Sequence, residues 1–86
     1  MSVKLFYKQG CKNCPQAKAL CQKLEKDGAK VLYYDVDTVD GLAEASFHEV
    51  MATPTIVVVN SKDTELKSWR GTTPTAEEIK KVLKEK

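Results

Sequence analysis

The first 36 residues read strand, helix, strand, and that order leaves few folds open. Val3-Lys4-Leu5-Phe6-Tyr7 is short, β-prone and rich in apolar residues, as an interior strand of a mostly parallel sheet is. From there Cys14, Ala17, Leu20, Cys21 and Leu24 recur at three- and four-residue spacing, the stripe of an amphipathic helix. Pro15 is tolerated because it falls in the first turn, where its missing N–H has no partner to lose. Asp27-Gly28 ends the helix, with Gly28 as a left-handed terminator, and Val31-Leu32-Tyr33-Tyr34-Asp35-Val36 follows as a second strand. Two strands joined through a helix imply a right-handed crossover and a parallel pair.

Asp37-Thr38-Val39-Asp40-Gly41 reads as a turn with capping residues, and Leu42, Ala43, Ala45, Phe47 and Val50 predict a short helix with a broad apolar face. Thr55-Ile56-Val57-Val58-Val59-Asn60 is the strongest strand of the chain and is expected to be buried on both faces. The polar turn Asn60-Ser61-Lys62-Asp63 and the alternating Glu65–Arg70 predict an antiparallel partner. Thr75 as N-cap with Glu78 three residues on is a capping box. It opens a last helix with Ile79, Val82 and Leu83 inward and Lys80, Lys81, Lys84 and Lys86 in solvent. The order β-α-β-α-β-β-α describes one α/β domain over residues 1–86.

The formal charge is +2, the lysines are spread along the chain, and aromatic residues make up 7%. Neither a nucleic-acid partner nor a membrane surface is supported by that pattern. No run approaches the roughly 18 apolar residues of a membrane span. Met1–Lys8 has no apolar stretch of signal-peptide length, so a cytoplasmic protein is expected. In a reducing compartment an odd number of cysteines, three, points to catalysis, metal binding or plain burial instead of a disulfide framework.

The chemistry concentrates in Gly10-Cys11-Lys12-Asn13-Cys14-Pro15. Two thiols three positions apart, placed on the first turn of the helix, form a dithiol that can close into a disulfide and reopen. A thiol with the ordinary pKa of about 8.5 is mostly inert at neutral pH. Cys11 lies where the unpaired N–H groups and positive end of the helix favour an anion, with Lys12 adjacent and Lys8 three residues upstream. Cys11 is therefore the expected nucleophile, Lys8 and Lys12 its tuning charges, and Cys14 the resolving thiol. The rival reading is half of a zinc site or a bridged iron–sulfur cluster on the same two cysteines, with Cys21 as a further conceivable ligand. No second Cys-x-x-Cys or nearby histidine completes a four-ligand set, and no metal residues are assigned. Cys21, seven residues after Cys14 on the same helical face, reads as a buried small hydrophobe, with a regulatory or glutathionylated thiol as the alternative. His48 reads as a surface residue and Trp69 as packing near a strand end. Pro54 enters a buried strand, and sequence alone leaves its peptide bond cis or trans.

The segment Val3–Cys14 and the later Met51-Ala52-Thr53-Pro54-Thr55-Ile56 together resemble the thioredoxin superfamily over essentially the whole chain. The opening, with Lys8 three residues before the first cysteine, is similar to glutaredoxins. The proline segment is similar to that of thioredoxins, and Ser68-Trp69-Arg70-Gly71 with Pro74 resembles the glutaredoxin-like hydrogen donors of ribonucleotide reductase. Two features depart from these patterns: Gly10 stands in place of the thioredoxin tryptophan, and Gly71-Thr72-Thr73 in place of the glutaredoxin Gly-Gly pair. The resemblance implies the thioredoxin fold, a four-stranded mixed sheet flanked by three helices, with a cis bond at Thr53–Pro54 opposite the dithiol. It implies that Thr53 offers its backbone N–H and C=O to an extended substrate, with Pro54 and Gly71 beside it. It also implies a monomeric oxidoreductase for protein or glutathione mixed disulfides, with no bound cofactor beyond the redox-active Cys11–Cys14 pair. Its electron donor would be thioredoxin reductase or glutathione.

Overall fold

Two strands of the chain are apolar enough to be covered on both faces, and both lie inside the sheet. The computed structural model describes residues 1–85 and places β1 (Ser2–Tyr7), α1 (Cys14–Lys26), β2 (Val31–Asp35), α2 (Val39–Phe47), β3 (Thr55–Val59), β4 (Glu65–Arg70) and α3 (Ala76–Glu85) in the predicted order. The sheet runs β2-β1-β3-β4. β1 is parallel to β2 with Val3 opposite Val31, antiparallel to β3 with Phe6 opposite Thr55, and β3 is antiparallel to β4 with Ile56 opposite Trp69. Every residue of β3 is buried.

Strand alternation divides the core into two layers. On one face Val3, Leu5, Ile56 and Val58 pack with Ala17, Cys21 and Leu24 of α1 and Ile79 of α3, with Trp69 partly buried against them. On the other, Phe6, Val57 and Val59 pack with Ala45 of α2. Burying a Leu, Ile or Phe side chain of this kind contributes about 1.5–3 kcal/mol. At the end of α1 Gly28 takes φ +100°, the conformation predicted for it. α3 opens with the predicted capping box: Glu78 N–H donates to Thr75 Oγ1 at 3.2 Å and Thr75 N–H to Glu78 Oε2 at 3.4 Å. Lys80, predicted in solvent, reaches Asp27 at 2.8 Å and ties α3 to the end of α1. Its hydrogen bond and charge hold the Asp27 carboxyl below the usual range. Lys81 and Lys84 are exposed as predicted, whereas Lys86 lies outside the described residues.

α2 departs from its prediction. The expected turn at Asp37–Gly41 is instead the helix's N-cap and first turn, because Thr38 is extended (ψ 161°) and its hydroxyl accepts the Gly41 N–H at 3.0 Å. The buried face is narrow, formed by Gly41 and Ala45, while Leu42 (58%) and Phe47 (66%) are exposed. Position 41 explains this close seating: a Cβ there would fall on the Asp35 carbonyl oxygen. Alanine at 41 would gain about 1 kcal/mol of helix propensity, yet the overlap is with backbone that cannot rotate away. Gly41→Ala is therefore expected to destabilise by about 2 kcal/mol net, lowering Tm by roughly 10 °C for a chain of this size. Calorimetry decides it, and an unchanged or raised Tm would show that α2 shifts outward freely.

Candidate active site

The dithiol sits at the C-terminal edge of β1, where the chain leaves the sheet and turns into α1. Gly10 takes φ +76°, which glycine alone adopts without strain, and Cys11 N–H closes the turn onto the Lys8 carbonyl at 3.4 Å. α1 begins at Cys14 with Asn13 as N-cap, so only Cys14 stands on the helix and Cys11 lies in the loop ahead of it. This corrects the expectation that both thiols occupy the first turn. The two are joined as a disulfide with Cα atoms 5.3 Å apart, inside the usual range of about 4.4–6.8 Å. Cys11 is half-buried and Cys14 is 2% exposed, an asymmetry that gives an incoming disulfide access to Cys11 first.

The helix end is arranged for an anion. Asn13 makes no side-chain capping bond, and the first turn holds no acidic residue. The N–H groups and positive dipole end of α1 are therefore not consumed by a carboxylate or hydroxyl cap. Lys8 and Lys12 are both exposed on this loop. Lys18 stacks its ammonium 3.9 Å from the Tyr7 ring centre, fastening α1 to the end of β1 just behind the dithiol. Cys21, fully buried two turns further along the same face of α1, has its thiol pushed up to about 12 by burial and then by Glu25. It stays protonated at neutral pH and packs as a small hydrophobe.

The proline segment reaches the same edge. Thr55 pairs with Phe6, so Pro54 and Thr53 lie beside the residues that lead into the dithiol loop. The Thr53–Pro54 bond is cis. Gly71, at φ +75°, donates its N–H to the Pro54 carbonyl at 2.9 Å, and the Thr55 hydroxyl donates to the Ala52 carbonyl at 2.6 Å. Thr53's own N–H and C=O enter none of the backbone hydrogen bonds among the described residues. Gly71, expected beside the substrate, spends its N–H on holding the proline segment. Lys8 and Thr53 line one cavity of about 310 Å³ with Val36, Asp37, Leu42 and Met51. Trp69 is half-buried in the core, as its packing role requires.

A second polar cluster escaped the sequence reading. Lys4, 3% exposed in the central strand β1, places its ammonium 2.7 Å from both Glu44 of α2 and Asp63 of the β3–β4 turn, and 3.1 Å from His48 Nε2. Burial pulls the Lys4 pKa down, but hydrogen bonds and attraction from Asp63 and Glu44 outweigh it and leave it raised; Lys4 in turn holds the Asp63 carboxyl below its usual value. His48 is 6% exposed, which corrects its reading as a surface residue: it caps the C-terminus of α2 and faces the Lys4 ammonium. Glu44, His48 and Asp63 carry metal-ligand atoms within 4.8 Å of one another, but the ammonium already fills the position a cation would take. The signal was present: a lysine in a strand predicted to be interior must have a buried partner.

Among the described residues no helix is long and apolar enough to cross a membrane. A family model described as a thioredoxin domain matches residues 1–84. Comparison with curated protein sequences gives no match. Among solved structures, thioredoxin-2 of a malaria parasite superposes with TM-score 0.81 at 22% identity, covering 98% of this chain and 81% of that one. Thioredoxin 1 from Thermosipho africanus gives 0.79 at 16% identity, covering 99% and 92%. A thioredoxin from Thermus thermophilus gives 0.68 at 25% identity, covering 96% and 71%.

Proposed function

This chain belongs to the thioredoxin-domain family of thiol–disulfide oxidoreductases, and we propose that within it the protein reduces disulfides of other proteins, with Cys11 as nucleophile and Cys14 as resolving thiol. The observation that carries this is the Cys11–Cys14 disulfide itself, with the outer sulfur ahead of an uncapped helix end and the inner one buried. In the reduced protein the Cys11 thiolate attacks one sulfur of the substrate disulfide, forming a mixed disulfide and expelling the first substrate thiolate. Cys14 then gives up its proton and attacks Cys11 Sγ, closing Cys11–Cys14 and releasing the second substrate thiolate. Two electrons pass to the substrate, and the protein is left in the oxidised state described here. The positive end of α1, Lys8 and Lys12 favour the thiolate, and Thr53 offers its N–H and C=O to the substrate backbone.

The oxidised pair must then be reduced by an external two-electron donor, which we assign to an NADPH-dependent thioredoxin reductase in the cytoplasm, acting on a monomer. The likeness of the whole chain to thioredoxins supports this donor, as does Gly71-Thr72-Thr73 standing where glutaredoxins carry their Gly-Gly pair. Insulin reduction in the presence of NADPH and thioredoxin reductase is expected to proceed, and to be faster than with glutathione and glutathione reductase. Faster turnover with glutathione would make the protein a glutaredoxin in function. No insulin reduction even with dithiothreitol as donor, together with stoichiometric iron or zinc in anaerobically purified protein, would favour the metal-carrying alternative.

A further inference from the structure

The segment from α2 to β3 presents Thr53, and it is tied down carbonyl by carbonyl. Glu49 adopts φ +55°, a left-handed conformation that non-glycine residues seldom take, and so turns its carbonyl away from α2. That oxygen accepts from Arg70 Nη1 at 3.0 Å, while Arg70 Nη2 forks onto the Glu65 carboxylate at 3.0 and 3.3 Å. Further along, the Ala52 carbonyl is held by the Thr55 hydroxyl and the Pro54 carbonyl by the Gly71 N–H. Arg70 and Gly71, neighbours at the end of β4, therefore grip the two ends of one loop, and between those grips the Thr53 N–H and C=O stay out of backbone bonding. The guanidinium suits the task because one planar group can bind a carbonyl and a carboxylate at once, and Glu65 fixes its orientation.

We infer that Arg70, oriented by Glu65, is a positioning residue for substrate binding: by holding the Glu49 carbonyl it sets the loop that offers the Thr53 peptide to an extended substrate chain. The inference rests on the proposed protein-disulfide reduction. It concerns recognition of the polypeptide around the target disulfide and not the thiol chemistry, since Arg70 lies on the β4 side of the loop and binds its first carbonyl, four residues before Thr53.

The test compares a disulfide carried on polypeptide with one that has no peptide groups. Pre-reduced protein is mixed with increasing insulin or hydroxyethyl disulfide, and closure of Cys11–Cys14 is followed by rapid quench and thiol alkylation. Arg70→Ala is expected to raise the half-saturating insulin concentration about fivefold, with the maximal rate and the hydroxyethyl disulfide rate unchanged. Arg70→Lys, which keeps one donor but not the fork, is expected to raise it about twofold. The Arg70 side chain is 38% exposed, so both variants should fold. Insulin half-saturation within twofold of wild type in Arg70→Ala, or parallel slowing with both disulfides, overturns the inference alone. A wild-type protein that closes its dithiol with neither disulfide overturns the underlying reading and the inference with it.

Discussion

Cys11→Ser is expected to abolish protein-disulfide reduction, by roughly a thousandfold or more, whereas Cys14→Ser should complete the first half of the cycle and stop. The distinction follows from where each sulfur sits. Cys11 lies in the loop before α1 with part of its surface open, so its removal leaves no thiolate that a substrate can reach. Cys14 is 2% exposed and holds the first position of the helix, too buried to substitute for Cys11 yet close enough to attack its sulfur. Without Cys14 the mixed disulfide has no internal thiol to resolve it, because Cys21 is fully buried, seven residues further along, and kept protonated. Incubating Cys14→Ser with oxidised insulin should therefore give a covalent adduct that is visible on a non-reducing gel and dissolved by dithiothreitol. Reversed roles, with Cys11→Ser forming the adduct and Cys14→Ser turning over, would sink the assignment. Cys21→Ala should leave both results unchanged, since that thiol packs against the sheet and takes no part in exchange.

How far this site was legible depends on whether its parts are set by local or distant contacts. The Cys-x-x-Cys spacing, the glycine at Gly10, the buried strand Thr55–Val59 and the Thr75–Glu78 capping box are each written within a few residues, and the structure has all of them. The cis bond at Thr53–Pro54 was suggested only by resemblance, because residues next to a proline do not by themselves fix its isomer. What sequence pattern missed depends on contacts between separate elements. Leu42 and Phe47 look like core residues by hydrophobicity, but Gly41 packing against the Asp35 carbonyl rotates α2 so that both point outward. The Arg70–Glu49 bond spans 21 residues and the Lys4–His48 contact 44. Nothing local distinguishes Arg70 from a solvated charge. Lys4 alone carried a usable warning, since it interrupts a strand that every neighbouring residue marks as interior.

That lysine sets the second large effect. Lys4→Met is expected to destabilise the protein by about 1–2 kcal/mol at pH 7, and Lys4→Ala by about 3–4 kcal/mol. The charge component is modest because Glu44 and Asp63 have side chains 32% and 46% exposed and recover water once the ammonium is gone. His48, with a side chain 3% exposed, cannot do the same and is left with an unsatisfied buried ring nitrogen at Nε2, which costs about 1–3 kcal/mol. Methionine preserves most of the aliphatic stem, whereas alanine also opens a cavity, and this separates the two variants. The difference from wild type should depend on pH in a defined sense. Asp63 has a lowered folded pKa, so its contribution is present above its unfolded value and lost as pH falls through the folded one. Lys4 has a raised pKa, so its contribution is complete below the unfolded value and lost as pH rises through the folded one. Urea unfolding should accordingly give a gap between wild type and Lys4→Met that is full at about pH 8–9 and narrows towards pH 3. A Lys4→Met protein as stable as wild type at pH 7 would mean that apolar packing replaces the ion cluster without loss. The anchoring of α2 and of the β3–β4 turn to the central strand would then rest on the Phe6, Ala45 and Val57 layer alone.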